Sequence, residues 1–197
     1  MSNEWEEFYL AYLDEKTDLP SRLNITRNYI KDSLCNSKNI LSICGGKSLD
    51  ILDLLSNDKT LYILDNDEDA MLYVKSNSGN NVKFFLNDAQ MSNSYLDIPK
   101  ADLLVCSGFI GAIDPEYIKK FISFIRCLIV KDGNVIWTLK NDDHQYVEYV
   151  KCLFKLFNFV EIDCKNTKNN RFTCVKSQFI GEQLDLLPNQ KIMSMSW

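Results

Sequence analysis

The stretch NILSICGGKSLDI (residues 39–51) joins a short apolar run to two adjacent glycines, a lysine and a serine. Residues 40–44 predict a buried β-strand and residues 49–55 predict a helix, so Gly45 and Gly46 fall at a strand-to-helix junction. Glycines at such a junction let a ligand approach the backbone closely. The stretch is therefore either a nucleotide-binding turn or an ordinary corner of the fold, and the function of the chain depends on which it is.

The composition describes an acidic chain that is large enough to build one full hydrophobic core. Its 197 residues are 46% hydrophobic and carry a formal net charge of −5. This charge disfavours a broad nucleic-acid-binding surface, which is usually basic. No window reaches the roughly 18 apolar residues of a membrane span, and the acidic start MSNEWEEFYL lacks the features of a secretory signal. We therefore expect a cytoplasmic protein without a membrane partner.

The cysteine and histidine content argues against a metal site and against a disulfide framework. The seven cysteines are scattered, none forms a CxxC pair, and the chain has one histidine. Structural zinc needs closely spaced Cys or His ligands. We expect no metal, and we interpret the cysteines as reduced residues of the core.

Predicted strands and amphipathic helices alternate along most of the chain. Apolar runs predict strands at residues 40–44, 60–64, 82–86, 101–106, 135–139, 159–164 and 172–179. Helical spacing predicts helices at residues 20–34, 49–55, 68–75, 115–129 and 146–157, after a first helix that carries Trp5, Phe8, Tyr9 and Tyr12. Continuous apolar strands that alternate with helices indicate a parallel sheet covered on both faces.

The last two predicted strands are joined by a short polar connection without a helix, so we expect an antiparallel hairpin at one edge of the sheet. The predicted fold class is α/β: a doubly wound, mostly parallel seven-stranded sheet with a C-terminal antiparallel hairpin, preceded by two N-terminal helices. We divide the chain into an N-terminal helical cap, residues 1–36, and a ligand-binding domain, residues 37–197. Such sheets bind ligands at the carboxyl ends of their strands.

Candidate ligand-binding residues follow the predicted strands. The dinucleotide fingerprint G-x-G-x-x-G and the P-loop G-x-x-x-x-G-K-[ST] are both absent. Asp65 ends the second strand, 19 residues after Gly46, and an acid about 20 residues after a glycine turn can bind both ribose hydroxyls. Asp88 ends the third strand, and CSGFIGAI follows the fourth with glycines and an aromatic residue suited to a loop over a flat ring.

These junctions, taken in order, resemble class I S-adenosylmethionine-dependent methyltransferases over about residues 39–179. LSICGGKSLDIL, LYILDND, FFLNDAQ and ADLLVCSGFIGAI resemble the four motifs of that family, and its Rossmann-like sheet also ends in a hairpin. More narrowly, EWEEFYLAY, SICGGKSLD and VIWTL resemble a group of small bacterial methyltransferases of largely unassigned function. The resemblance implies S-adenosylmethionine as cofactor and a set of binding residues: Cys44, Gly45, Gly46, Asp65, Asn66, Asp88, Ala89, Ser107 and Gly108.

Other residues are candidates for the acceptor side of the site. Tyr9, Tyr12, Arg22 and Phe109 are the predicted substrate-binding residues, although the tyrosines can equally dock the first helix and Arg22 can be a solvated helix charge. His144 follows the fifth strand and is the candidate catalytic base. Its alternative is an exposed histidine in the first turn of a helix that Asp142 or Asp143 caps.

The sequence departs from the family at three positions of the first motif, which leaves alternatives open. Ser42 replaces the usual acid, and Cys44 and Ser48 replace the first and third glycines. We expect methyl transfer to an O, N or S atom of a small molecule. A catalytically weak or inactive binding or scaffolding subunit is the main alternative, and a nucleic-acid methyltransferase with a basic partner is a less favoured one. A homodimer stays open.

Overall fold

The structure, a computed structural model, describes residues 9–14 and 16–196 of the chain. Trp5 and Phe8 of the predicted first helix lie outside the described residues. The strands are β1 (Asn39–Ile43), β2 (Thr60–Asp65), β3 (Val82–Leu86), β4 (Ala101–Cys106), β5 (Ile129–Lys140), β6 (Phe159–Asn166) and β7 (Phe172–Phe179). The α-helices beyond residue 16 are α1 (Leu19–Leu34), α2 (Glu68–Asn77), α3 (Pro115–Phe124) and α4 (His144–Leu156).

The described residues form one seven-stranded sheet in the order β3-β2-β1-β4-β5-β7-β6. The pairs among the first five strands are parallel, whereas β7 is antiparallel to both β5 and β6. The predicted doubly wound sheet with its antiparallel hairpin is therefore confirmed. The strands β2 and β3 lie on one side of β1, and β4 and β5 lie on the other. The carboxyl ends of β1 and β4 therefore meet at the switch point where such sheets bind ligands.

The helices cover both faces of the sheet. On one face α1 buries Tyr29 and Ile30 against β1, β2 and β4, together with Val74 of α2. On the other face α3 and α4 pack in a cluster in which the rings of Trp137 and Phe154 stack with centroids 4.6 Å apart. Among the residues described, no helix is long and apolar enough to cross a membrane.

Local sequence signals set where the helices begin. Pro residues stand in the first turns of α1 and α3, where the missing N–H costs nothing. The Asp67 carboxylate accepts the N–H groups of Asp69 and Ala70 and caps α2. Asp143 caps α4 in the same way, by accepting from Gln145 and Tyr146. Asp67 thus caps the helix after β2, which leaves Asp65 available for another role.

The predicted helix at residues 49–55 is wrong. Only Leu52–Leu54 form a short 3₁₀ turn there. The reason is a contact from α1: Arg27 donates to the Leu49 carbonyl and also to the Asp53 carboxylate, each at 2.8 Å. An α-helix would need that carbonyl for the Asp53 amide. Consequently no long helix begins at the glycine turn, and the turn offers no helix N-terminus to an anion.

Two predicted boundaries near the fifth strand also change. Asp132 and Gly133, which stand between the predicted helix and the predicted strand, lie inside β5, which begins at Ile129 rather than near residue 135. Asp132 has a φ of 65°, and the pairing of β4 with β5 shifts register there, so the chain kinks without leaving the sheet. Ile129 consequently belongs to the strand, and α3 ends at Phe124.

A buried aspartate fixes the start of α1 against the β6–β7 hairpin. The Asp18 carboxylate accepts hydrogen bonds from the Thr167 hydroxyl and from the backbone N–H groups of Asn169 and Arg171. Burial opposes its ionisation, but these hydrogen bonds outweigh burial and lower the pKa of Asp18. The anchor positions the first turn of α1, and therefore Arg22, beside the carboxyl ends of the strands.

Candidate active site

A cavity of about 1030 Å³ opens at the carboxyl ends of the parallel strands. This volume lies at the upper end of the range for small-molecule sites. Every candidate cofactor and substrate residue from the sequence lines it: Tyr9, Tyr12, Arg22, Cys44, Gly45, Gly46, Asp65, Asn66, Asp88, Ala89, Ser107, Gly108 and Phe109. The sequence motifs therefore converge on one cavity.

Three alternate residues of the glycine turn have a left-handed backbone. Cys44, Gly46 and Ser48 all have a φ of 49°, in the left-handed region that favours glycine. A Cβ built on Gly46 would lie 2.5 Å from the Tyr9 hydroxyl, which also accepts the Lys47 N–H at 3.1 Å. Two of the three left-handed positions therefore carry a side chain, and the Tyr9 hydroxyl lies over the third, Gly46.

Asp65 connects the end of β2 to the glycine turn. One oxygen of its carboxylate accepts the Gly46 N–H at 2.8 Å, and the other accepts the Asp67 N–H at 3.0 Å. Burial raises the pKa of Asp65 above its ordinary value, although these hydrogen bonds oppose the rise. Each carboxylate oxygen can accept a second hydrogen bond, so the group is suited to bind a pair of neighbouring hydroxyls.

The cavity lining is rich in carboxylates. Six acidic residues line it, namely Asp50, Asp65, Asp67, Glu68, Asp69 and Asp88, against two basic residues, Arg22 and Lys47. An excess of carboxylates around a cavity attracts cations and repels polyanions. The lining therefore favours a ligand with a positive centre over a nucleic-acid backbone.

Arg22 is a buried cation at this otherwise acidic site. Its side chain lies between two rings, with the guanidinium carbon 5.4 Å from the Tyr12 centroid and 4.9 Å from the Phe172 centroid, and it donates to the Tyr12 hydroxyl. The residue is 4% exposed, and its Nε has no hydrogen-bond partner in the described part of the chain. Within residues 9–14 and 16–196, no carboxylate forms an ion pair with it.

The loops after β3 and β4 form the apolar part of the lining. Gly108 has a φ of +94° and donates its N–H to the Thr138 hydroxyl at 2.9 Å. A Cβ on Gly108 would lie 3.2 Å from an Arg22 nitrogen, so a larger residue would crowd the guanidinium. Ala89 and Phe109 are buried beside it. This part of the cavity is suited to the face of a flat ring.

The structure does not bring His144 to the cavity. His144 is exposed in the first turn of α4 and is absent from the lining. It therefore matches the alternative of an exposed helix residue, with Asp143 as the cap, rather than a catalytic base. Burial also raises the pKa of the Cys44 thiol well above its usual range, so this thiol is not a ready nucleophile. Among the described residues, no cluster of His, Cys, Asp or Glu could hold a metal ion.

Asp50, Tyr73 and Met195 are among the lining residues that the sequence did not indicate. Asp50 follows the turn, and burial raises its pKa to about 6 although Arg22 opposes the rise. Tyr73 projects from α2, and Met195 comes from the segment after β7. Asp50 was visible as the last residue of SICGGKSLD, but the segment after β7 carries no motif that would indicate its path.

The fold and the place of the cavity define the class of structure. The strand order with an inserted antiparallel β7 is that of the class I methyltransferase fold, and solved structures that match it with probability 1.00 include several methyltransferases. A scan of family models and a search of curated proteins both return no match for this sequence.

Three solved structures illustrate the likeness. The N-methyltransferase NodS from Bradyrhizobium japonicum WM9, in complex with S-adenosylhomocysteine, is 12% identical, with a TM-score of 0.66 over 85% of this chain and 90% of that one. The 1,6-didemethyltoxoflavin-N1-methyltransferase of Burkholderia thailandensis is 14% identical, with a TM-score of 0.67 over 89% and 87%. The [4+2]-cyclase SpnF is 9% identical, with a TM-score of 0.64 over 81% of each chain. At these identities the likeness concerns the fold alone.

Proposed function

We propose that this protein is an S-adenosylmethionine-dependent methyltransferase that acts on a small molecule. The observation that carries the proposal is the hydrogen bond that the Gly46 N–H donates to the Asp65 carboxylate, at the carboxyl ends of β1 and β2. A carboxylate in this place can bind the two hydroxyls of a ribose while the turn lets the rest of the ligand approach the backbone. NodS and the toxoflavin methyltransferase have this fold and are described with S-adenosylhomocysteine bound.

The cavity suits this cofactor in size and in charge. Its volume of about 1030 Å³ leaves room for the cofactor together with a small acceptor. When bound, S-adenosylmethionine supplies an activated methyl group, which an O, N or S atom of the acceptor takes by in-line displacement. The carboxylates of Asp50 and Asp65 favour the positive sulfonium. Asp88 and Ala89 flank the adenine, and Asn66, Ser107 and Gly108 complete the cofactor-binding set.

We assign the acceptor side of the cavity to Tyr9, Tyr12, Arg22 and Phe109. Residues 1–36 then serve as a cap that covers the acceptor. Arg22 binds an acidic group of the acceptor, since a buried guanidinium with an unpartnered Nε gains most from an anion. We assign no catalytic base, because methyl transfer needs little more than positioning.

Isothermal titration with S-adenosylhomocysteine tests the proposal. We expect micromolar binding by the wild-type protein. Asp65→Asn should weaken binding about tenfold to a hundredfold, because it removes a charged acceptor from the ribose hydroxyls. Asp58→Asn makes the same change in an exposed turn outside the cavity and should bind like the wild type. Thermal unfolding of both variants checks whether the fold is retained, and a screen of acidic acceptors for S-adenosylhomocysteine release then tests turnover.

A binding or scaffolding protein that keeps the fold without the reaction is the second candidate. The observation that favours it is steric: the side chains of Cys44 and Ser48 and the Tyr9 hydroxyl take up space at the glycine turn where a ligand would approach. SpnF, described as a cyclase, has the same fold. Absence of binding at millimolar S-adenosylhomocysteine would favour this candidate and would contradict methyl transfer.

A further inference from the structure

The segment that follows β7 returns across the carboxyl edge of the sheet. We call residues 189–196 the return segment. It forms an antiparallel bridge between Lys191 and Met91, after β3, and another between Met195 and Ile113, after β4. The return segment therefore connects the two loops that form the apolar part of the cavity lining.

Backbone hydrogen bonds hold the return segment at both ends. Near β3, the Ile192 N–H donates to the Gln90 carbonyl at 2.8 Å, and the Ser92 N–H donates to the Gln190 carbonyl at 2.9 Å. Near β4, the Asp114 N–H donates to the Ser194 carbonyl at 2.8 Å. These bonds fix the path of the segment on both sides of the cavity.

Buried side chains hold the middle of the return segment. Ile192 and Met193 are fully buried in the larger hydrophobic cluster. Ser196 donates its N–H to the Ala112 carbonyl and its hydroxyl to the Asp114 carboxylate. Met195 lies between these fixed points, is half-buried, and lines the cavity with Ala89 and Phe109. Its position is thus set by the backbone on both sides.

We propose that the return segment is a ligand-binding element whose Met195 packs on the nucleobase of the bound nucleoside. This inference rests on the proposed function, which places a purine nucleoside in the cavity. A flexible, polarisable thioether makes favourable contacts with aromatic rings, and Ala89, which lines the same cavity, provides a second apolar contact for the base. Met195 thereby joins the residues that select a flat aromatic base.

Titration with two nucleosides tests the assignment. S-adenosylhomocysteine and 5′-methylthioadenosine share the adenosine but differ in the amino-acid group. Met195→Ala should raise the Kd of both about fivefold to tenfold, because the lost contact concerns the shared base. Met195→Leu keeps most of the packing and should change either Kd by less than about threefold. Met71→Ala makes the same truncation on α2, away from the cavity lining, and should have no effect.

Hydrogen exchange gives a second measurement. S-adenosylhomocysteine should slow the exchange of amides in the return segment as well as in residues 44–48. Equal binding by wild type and Met195→Ala, with unchanged exchange in residues 189–196, would overturn this inference and leave the proposed function intact. If the wild-type protein does not bind S-adenosylhomocysteine at all, the proposed function is wrong and this inference is wrong with it.

Discussion

Replacing Arg22 by methionine should stabilise the ligand-free protein while it weakens binding of an acidic ligand. A buried charge that has no ion-pair partner costs about 3–5 kcal/mol. Arg22 is 4% exposed, has an unpartnered Nε, and has no ion pair among the described residues. The variant removes this cost.

The Arg22→Met variant also loses favourable interactions that offset most of this gain. The hydrogen bond to Tyr12 contributes about 1.5 kcal/mol, and the contacts with the rings of Tyr12 and Phe172 contribute about 0.5–1 kcal/mol each. The balance predicts an unfolding free energy that rises by about 0–2 kcal/mol, which corresponds to a melting temperature higher by up to about 8 °C for a chain of this size.

Arg27→Met provides a matched control with the opposite sign. Arg27 forms a bidentate ion pair with Asp53 at 2.8 Å and also donates to the Leu49 carbonyl. Its side chain is 24% exposed, so solvent screening limits the expected loss of stability to about 1 kcal/mol. Urea unfolding of both variants at pH 7 measures the difference. If Arg22→Met were destabilised as much as Arg27→Met, the reasoning about a buried unpaired cation would be refuted.

Ligand titration shows which anion Arg22 binds, an acidic group of the acceptor or the amino-acid carboxylate of the cofactor. Arg22→Met should leave the affinity for S-adenosylhomocysteine unchanged and should lose that for an acidic acceptor, while Arg27→Met should retain both. A loss of affinity for S-adenosylhomocysteine, with no loss for 5′-methylthioadenosine, would instead assign Arg22 to the amino-acid carboxylate of the cofactor. That result would contradict its place among the acceptor-binding residues.

Three further predictions concern single residues. Asp18→Asn should remove a contribution to stability that is present at neutral pH and is lost as pH falls through the lowered pKa of Asp18, which urea unfolding between pH 7 and pH 3 would detect. Asp50 should give the opposite pH dependence of stability. Its pKa is about 6, so the stability of the wild-type protein falls as pH rises through that value, and urea unfolding of Asp50→Asn over the same pH range should lack this fall. Ser48→Gly should change the unfolding free energy by less than about 1 kcal/mol, because relief of left-handed strain is offset by glycine's greater freedom in the unfolded chain. Ser48→Val should lower the unfolding free energy by more than this, because a β-branched residue is strained in the left-handed region.

The sheet was predictable because buried parallel strands leave a local signature. Each of the first five strands contains an apolar run, such as LYIL in β2 and LLVC in β4, and the short polar link before Phe172 excludes a crossover helix. The site followed from the sheet, since the carboxyl ends of parallel strands meet at one edge and so collect Asp65, Asp88 and Gly108. Local pattern and sheet geometry were sufficient for these features.

The features that the sequence did not reveal depend on distant contacts. The helix expected at residues 49–55 fails because Arg27, 22 residues away, binds the Leu49 carbonyl. Met195 enters the cavity through bridges to loops that lie far away in the sequence. His144 follows a strand end, but the direction in which α4 leaves the sheet, which local spacing does not encode, keeps it exposed. In each case the structure is decided by an interaction that leaves no periodic pattern in the sequence.

The conformation of the glycine turn bears directly on whether it is a nucleotide turn or an ordinary corner. A side chain in the left-handed region costs on the order of 1–3 kcal/mol and persists only where the surroundings impose it. Cys44 and Ser48 both have a φ of 49°. An ordinary corner with a cysteine and a serine at these positions gains stability by relaxing to a right-handed conformation. The turn instead holds the Gly46 amide against Asp65, and this costly geometry supports the proposal that the turn binds a nucleoside.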